Sequence, residues 1–346
     1  MKNTLKTLVA VLSSLVISVS SFAGDLSVSG NAEATYIIGG ADDANSKGLG
    51  ISNELNFTAD GEFANGFTWK YSMELDGATT ANDDTSMTLG LGQFGNAAIC
   101  ITECGLSQEL GYGVGAYGVG SDIVNTGGIV FGNDVSSYNN IQYHTPAGLL
   151  PNGFVIKYGY APNLSGAQGS SAKGGNAIET TLGATGTTYA GAGTDAEMIQ
   201  VSGSPVEGAK IGIDYMKVNG STAVSQKYES GNIFFSYAVG PVKVGAARTL
   251  VAPSAADSTT AAQEYATTGA GIQYAVTDTV SVSINREESE KTLIDDTSVT
   301  IDANTYQVAY NVGGATIAVV KSESTNAGYV KANEVEMTLI SMKMAF

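Results

Sequence analysis

Histidine is the side chain best suited to moving protons near neutral pH, and this chain has one, His144. A hydrolytic centre needs a Ser–His pair and a third group to orient it. No such partner stands out for His144, which shares a strand face with Gln142 just before Pro146 and reads as a polar lining residue. The only two cysteines, Cys100 and Cys104, are spaced C-x3-C. Two thiols and one distant imidazole do not make a four-ligand metal site, so no metal centre is expected. In an exported chain the pair is expected to close a small disulfide loop. G-x-G-x-x-G occurs twice, at Gly90, Gly92 and Gly95 and at Gly113, Gly115 and Gly118. A dinucleotide site would need a helix next, in a βαβ unit. Neither match has one, and with 44 glycines such matches arise by chance. No cofactor is expected. The acidic pairs Asp42-Asp43, Asp83-Asp84, Glu287-Glu288 and Asp295-Asp296 fall in candidate loops. They read either as a solvated, repelling surface or as a place for Ca2+ or Mg2+ to bind. Their spacing fits no EF-hand.

What remains is charge, and composition sets its class. The net charge is −17, which excludes nucleic acid as a partner. Charged residues are only 14% of the chain, while glycine and tyrosine are abundant and proline is scarce. Long amphipathic helical patterns are missing, and short alternating segments bounded by Gly, Asn and Asp take their place, the mark of an all-β chain. Residues 1–23 read as a secretory signal peptide: Lys2 and Lys6, then an apolar run over residues 8–19, then Ser21 and Ala23 at the cleavage positions. Residues 24–346 are expected to form one β domain.

Sixteen strands can be placed by period-two alternation. The last, over residues 333–346, puts Thr338, Ile340, Met342, Met344 and Phe346 on one face and Ser341, Lys343 and Ala345 on the other. Its free edge needs a partner, and the first strand, residues 26–38, is the candidate; joining them closes a barrel and removes both edges. The connections alternate in length, with the long ones after odd-numbered strands: residues 39–50, 76–84, 103–137, 162–194, 218–227, 251–263, 288–301 and 323–332. Short turns at one end and long loops at the other are the pattern of transmembrane barrels. One face of most strands is apolar with aromatics near its ends; the other carries Ser, Thr, Asn, Gln and charge. At this strand number an inward polar face encloses an aqueous channel.

The Gly-rich hairpin around residues 88–95, the hairpin over residues 138–160, the longest connection in third place and the terminal Phe346 together resemble the general bacterial porins. That resemblance implies a transmembrane antiparallel β-barrel of about sixteen strands, a homotrimer in the outer membrane amid lipid and lipopolysaccharide. It implies passive diffusion of small hydrophilic solutes, a third outer loop folded into the lumen, and a terminal Phe346 that serves assembly. The departure is arginine: only Arg248 and Arg286 occur, so the arginine-lined constriction of familiar porins is in doubt.

Parity points Lys70, Lys157, Lys210 and Lys243 into the lumen, with Glu33, Glu54, Asp60, Glu74 and Asp214. The third loop carries Glu103, Glu109, Asp122 and Asp134 and no Lys or Arg. If it folds inward its carboxylates are expected at the constriction, opposite the lysines, giving a mildly cation-preferring channel. The competing reading is a plugged structural or adhesive barrel. An enzyme is not expected, for want of a catalytic constellation.

Overall fold

A segment with one apolar and one polar face can satisfy both faces and both edges when enough copies close into a ring between lipid and water. The computed structural model describes residues 25–39, 47–76, 80–101, 104–116, 128–162, 193–220, 226–254 and 261–346. Among them are β1 (Leu26–Gly39), β2 (Lys47–Glu62), β3 (Thr68–Asp76), β4 (Thr80–Gly90), β5 (Asn96–Ile101), β6 (Asn139–His144), β7 (Val155–Ala161) and β8 (Gly193–Gly203). They continue as β9 (Ala209–Gly220), β10 (Glu229–Val239), β11 (Val242–Ala252), β12 (Ala262–Ala275), β13 (Val280–Leu293), β14 (Ser298–Val312), β15 (Ala315–Thr325) and β16 (Val335–Ala345). Each strand pairs with its sequence neighbours, and β1 pairs antiparallel with β16, closing the barrel. At the seam Gly30 N donates to Phe346 O at 2.8 Å and Phe346 N donates to Gly30 O at 2.9 Å. The expected signal peptide, and a further hairpin conceivable near residues 177–190, lie outside the described residues.

The long and short rhythm holds with two corrections. The connection after β3 spans only residues 77–79, and that after β13 only residues 294–297, closed by Leu293 N donating to Thr297 O at 2.9 Å. The expected 288–301 loop is mostly strand. Residues 286–292 are polar on both faces, which hid their alternation, but their backbone pairs continuously with β12 and β14. Glu287 and Glu288 are therefore strand neighbours on opposite faces, Glu287 buried and Glu288 exposed, and not a loop pair able to share a cation.

The outward face explains the apolar exposure. Ile213, Ile233, Phe235, Ile272, Val308, Ile317, Ile340 and Met342 are all exposed on it. Tyr237, Tyr274 and Tyr310 are outward aromatics near the short turns, and Tyr215 and Tyr306 lie higher, as interface girdles would. Beyond them the outward face turns charged, with Arg286–Asp302 at 2.9 Å and Lys321–Glu336 at 3.0 Å. In hydrocarbon such side chains are costly, so this belt belongs at headgroup level.

Candidate functional site

The third loop enters the barrel along its inner wall. Two described limbs, residues 104–116 and 128–137, lie against the inward faces of β7 to β14. Glycines in the wall make room. A Cβ at Gly245 would meet the backbone of Gly111, one at Gly269 the ring of Tyr112, and one at Gly271 the carbonyl oxygen of Tyr112. Glycine inside a strand often marks such a close approach. The wall then grips the loop by hydrogen bonds: Gln200 Nε2 to Ser107 O at 2.9 Å, Asn232 Nδ2 to Glu109 O at 2.7 Å and Thr267 Oγ1 to Val130 O at 2.9 Å. Tyr112 Oη donates to Glu287 Oε1 at 3.0 Å. Beneath the loop the inward face turns apolar, where Leu106 and Val135 pack with Met198, Met216, Val218 and Tyr265. Burial of each large side chain there contributes about 1.5–3 kcal/mol, so the loop is part of the barrel's core. The expected polar inner face is thus interrupted where a loop covers it.

A second loop, residues 326–334, reinforces the return limb. Tyr329 Oη accepts from Val130 N at 3.1 Å and bonds Ser289 Oγ at 2.7 Å, and its ring meets Tyr265 edge-on at 5.3 Å. Burial pushes the Tyr329 phenol up, so it stays protonated and able to donate. The sequence gives no sign of this clamp, because Tyr329 sits in a stretch without periodicity.

The expected constriction residues fall into distinct settings. Lys210 forms an ion pair with Glu109, and Lys157 Nζ donates to Gly105 O at 2.6 Å. Asp134 is turned into its own loop, where Oδ2 accepts from Gln108 N at 3.0 Å and Oδ1 from Ser136 Oγ at 2.7 Å. Lys243 lies on the inward face of β11, opposite Gln273 of β12. Lys70 lies on β3 beside Asp60 of β2, and Glu74 farther along β3 beside Asn56. Glu103 and Asp122 lie outside the described residues. For Glu109, the expectation that it faces the lysines across the lumen needs correcting. Glu109 sits on the same wall as Lys210 and pairs with it, because the described limb that carries it is pressed onto that wall.

His144 Nε2 bonds Gln142 Oε1 at 2.9 Å on the inner face of β6, as a lining residue would. Asp295 is held by its turn, accepting at Oδ1 from Thr297 N at 3.0 Å and Thr297 Oγ1 at 2.6 Å. These bonds also lower its pKa. Among the described residues no group of three or more His, Cys, Asp or Glu gathers as a metal site.

Cys100 and Cys104 form a disulfide at the foot of the third loop, with Cα atoms 6.1 Å apart. The closed ring is small, so by chain entropy it contributes about 2 kcal/mol. Unreduced protein treated with an alkylating agent should take up no label, and the double Ser variant should still yield a heat-modifiable barrel with a slightly lower melting point. Two labelled thiols in the unreduced protein would contradict the pairing.

Comparison with known proteins agrees with the geometry. The sequence signature of the family described as Gram-negative porin matches residues 7–327. No curated protein matches the sequence significantly. Among solved structures, Salmonella typhi OmpF in complex with daunomycin aligns with TM-score 0.66 at 10% identity, covering 94% of this chain and 100% of that one. An anion-selective porin from Comamonas acidovorans aligns with TM-score 0.64 at 12% identity, covering 93% and 100%. A trimer form of Vibrio cholerae OmpT aligns with TM-score 0.57 at 12% identity, covering 94% and 100%. At these identities the likeness is one of fold.

Proposed function

The chain belongs to the Gram-negative porin family, and from that premise we propose that it forms a water-filled outer-membrane channel for passive diffusion of small hydrophilic solutes and ions, with a mild preference for cations. The observation that carries this is the seating of the third loop. Its described limbs lie along β7–β14 and narrow the lumen from that side. Across from it Asp60 and Lys70 remain exposed to the interior. A plugged barrel would need that side filled as well. Cation preference is supported by the net charge of −17 and by the inward carboxylates of β1–β3. Charge focused in a low-dielectric cleft raises the local counter-ion concentration.

The same reading extends to assembly. The protein is a channel and not an enzyme, exported by cleavage of residues 1–23 and assembled as a homotrimer, the state named for the Vibrio cholerae neighbour. Its outward apolar face meets lipid, and its outer charged belt meets lipopolysaccharide. Divalent cations at the acidic outer loops belong to this proposal as bridging ions, not as a resident cofactor.

Planar bilayers test the reading directly. Purified protein should insert in uniform conductance steps, and a salt gradient at low ionic strength should give a cation-selective reversal potential. Selectivity should fade toward 1 M salt, where the Debye length is about 3 Å. Stable insertion without conductance would favour the plugged adhesive barrel, and an anion-selective sign would refute the charge assignment.

A further inference from the structure

The descending limb of the third loop crosses the wall along one row of inward side chains. Lys157, Gln200, Asp214 and Asn232 are in register on β7, β8, β9 and β10. Lys157 Nζ donates to Gly105 O, Gln200 Nε2 to Ser107 O and Asn232 Nδ2 to Glu109 O. Three alternate carbonyls of the limb thus meet wall donors in strand order. From β7 to β10 there are three interstrand spacings, about 14 Å. Four residues of extended chain reach about 13–14 Å, so the limb from Gly105 to Glu109 is nearly taut. A taut chain has no slack to absorb a different starting point. Where the limb begins decides which residue meets Lys157 and, four positions on, which residue pairs with Lys210.

That beginning is Cys104. Its backbone is left-handed, with φ 80°, and Gly105 follows with φ 78°. Glycine adopts this region freely and cysteine does not, so something outside the local backbone holds Cys104 there. Its side chain is tied to Cys100. Cys100 is buried on the inward face of β5, in register with Ser86 of β4 and Asn140 of β6. With backbone pairing on both edges, β5 is a fixed post.

We propose that the Cys100–Cys104 disulfide is a positioning element of the pore: it sets the register of the third loop on the wall and so places Gly105 O on Lys157 and Glu109 on Lys210. Its ring is too small for a large effect on stability; its effect is on where the limb sits. With the bridge open, Cys104 leaves the left-handed region, the limb gains slack ahead of Gly105, and its carbonyls exchange among more than one seat. The oxidised channel therefore has one open level and the reduced channel several.

This inference rests on the channel reading, and single-channel recording of the whole protein separates the two. A water-soluble phosphine is added on the long-loop side. It gives two electrons to the disulfide while water supplies two protons and an oxygen atom, so the products are two thiols and the phosphine oxide. Reduction should break the single open level into flickering sublevels and shift the reversal potential in a low-salt gradient, and reoxidation with diamide, which takes back two electrons and two protons, should restore both. Cys100→Ser/Cys104→Ser should show the sublevels from the start and ignore the phosphine, which keeps the test decisive if the reagent does not reach the bridge. In Lys157→Gln, where the first seat is already lost, reduction should shift the reversal potential less than in the unmodified protein. A bridge that only stabilises would lower the melting point and leave level and reversal potential alone. That result with the thiols shown free by labelling, a single unaltered level in the double Ser variant, or an equal shift in Lys157→Gln would overturn the positioning role while leaving the channel intact. No conductance from the unmodified protein would overturn the channel reading, and this inference with it.

Discussion

A single methyl group at Gly245 is expected to push the Gly111–Tyr112 segment of the third loop off the wall and change single-channel conductance from that of the unmodified protein. The new Cβ would overlap the carbonyl of Gly111 and stand 3.0 Å from Tyr112 Cα. These are backbone atoms of the loop and cannot rotate away. Overpacking of this kind costs about 1–3 kcal/mol, comparable to what one buried anchor such as Tyr112 contributes. The barrel strand is held by pairing on both edges, with β10 and β12. The loop is held by side chains, so the loop is the part that moves. Gly245→Ala should insert normally and differ from the unmodified protein in conductance and in the solute size it passes in a liposome-swelling assay. Gly231→Ala is the control, since its added Cβ would find only Asp214 O at an ordinary 3.6 Å. Gly245→Ala barrels with unaltered conductance and exclusion size would show that the loop does not limit the pore.

Deleting residues 335–346 should abolish the folded barrel altogether. β16 pairs with β15 on one side and β1 on the other, so its loss leaves two open edges. In lipid each unpaired backbone group costs several kcal/mol, and the sum exceeds the whole stability of a domain. The truncated chain should be protease-sensitive and show no heat-modifiable form. Phe346→Ala keeps the backbone bonds to Gly30 but loses the ring, whose Cε2 would lie 3.1 Å from a Cβ on Gly30. It should assemble more slowly and in lower yield, with partial recovery by tyrosine. Normal outer-membrane amounts of the truncated chain in protease-resistant form would disprove closure through β16.

How far the sequence determines this molecule follows from the reach of each interaction. Strand alternation is local, so Trp69, Tyr71 and Met73 against Lys70, Ser72 and Glu74 already fix which face of β3 looks inward. The same period carries the strand number, the closure of first strand on last, the lumenal direction of Lys70, Lys157, Lys210 and Lys243, and through them the channel class. Cys100 and Cys104 are near enough in sequence to be read as a pair. The seat of the third loop was not legible. It joins Gly111 to Gly245, Tyr112 to Glu287 and Val130 to Tyr329, contacts between segments that no local pattern links. The faces of Met198 and Met216 look wrong for a pore until the loop covers them. Nor does parity say which wall a loop will lean on. Glu109 was legible as a lumenal carboxylate, but only the tertiary fold set it beside Lys210 instead of across from it. Sequence determined the ring, its two faces and the charges available to the lumen. Tertiary structure decided which of those charges cancel, because cancellation depends on distances of a few ångströms between residues about a hundred positions apart.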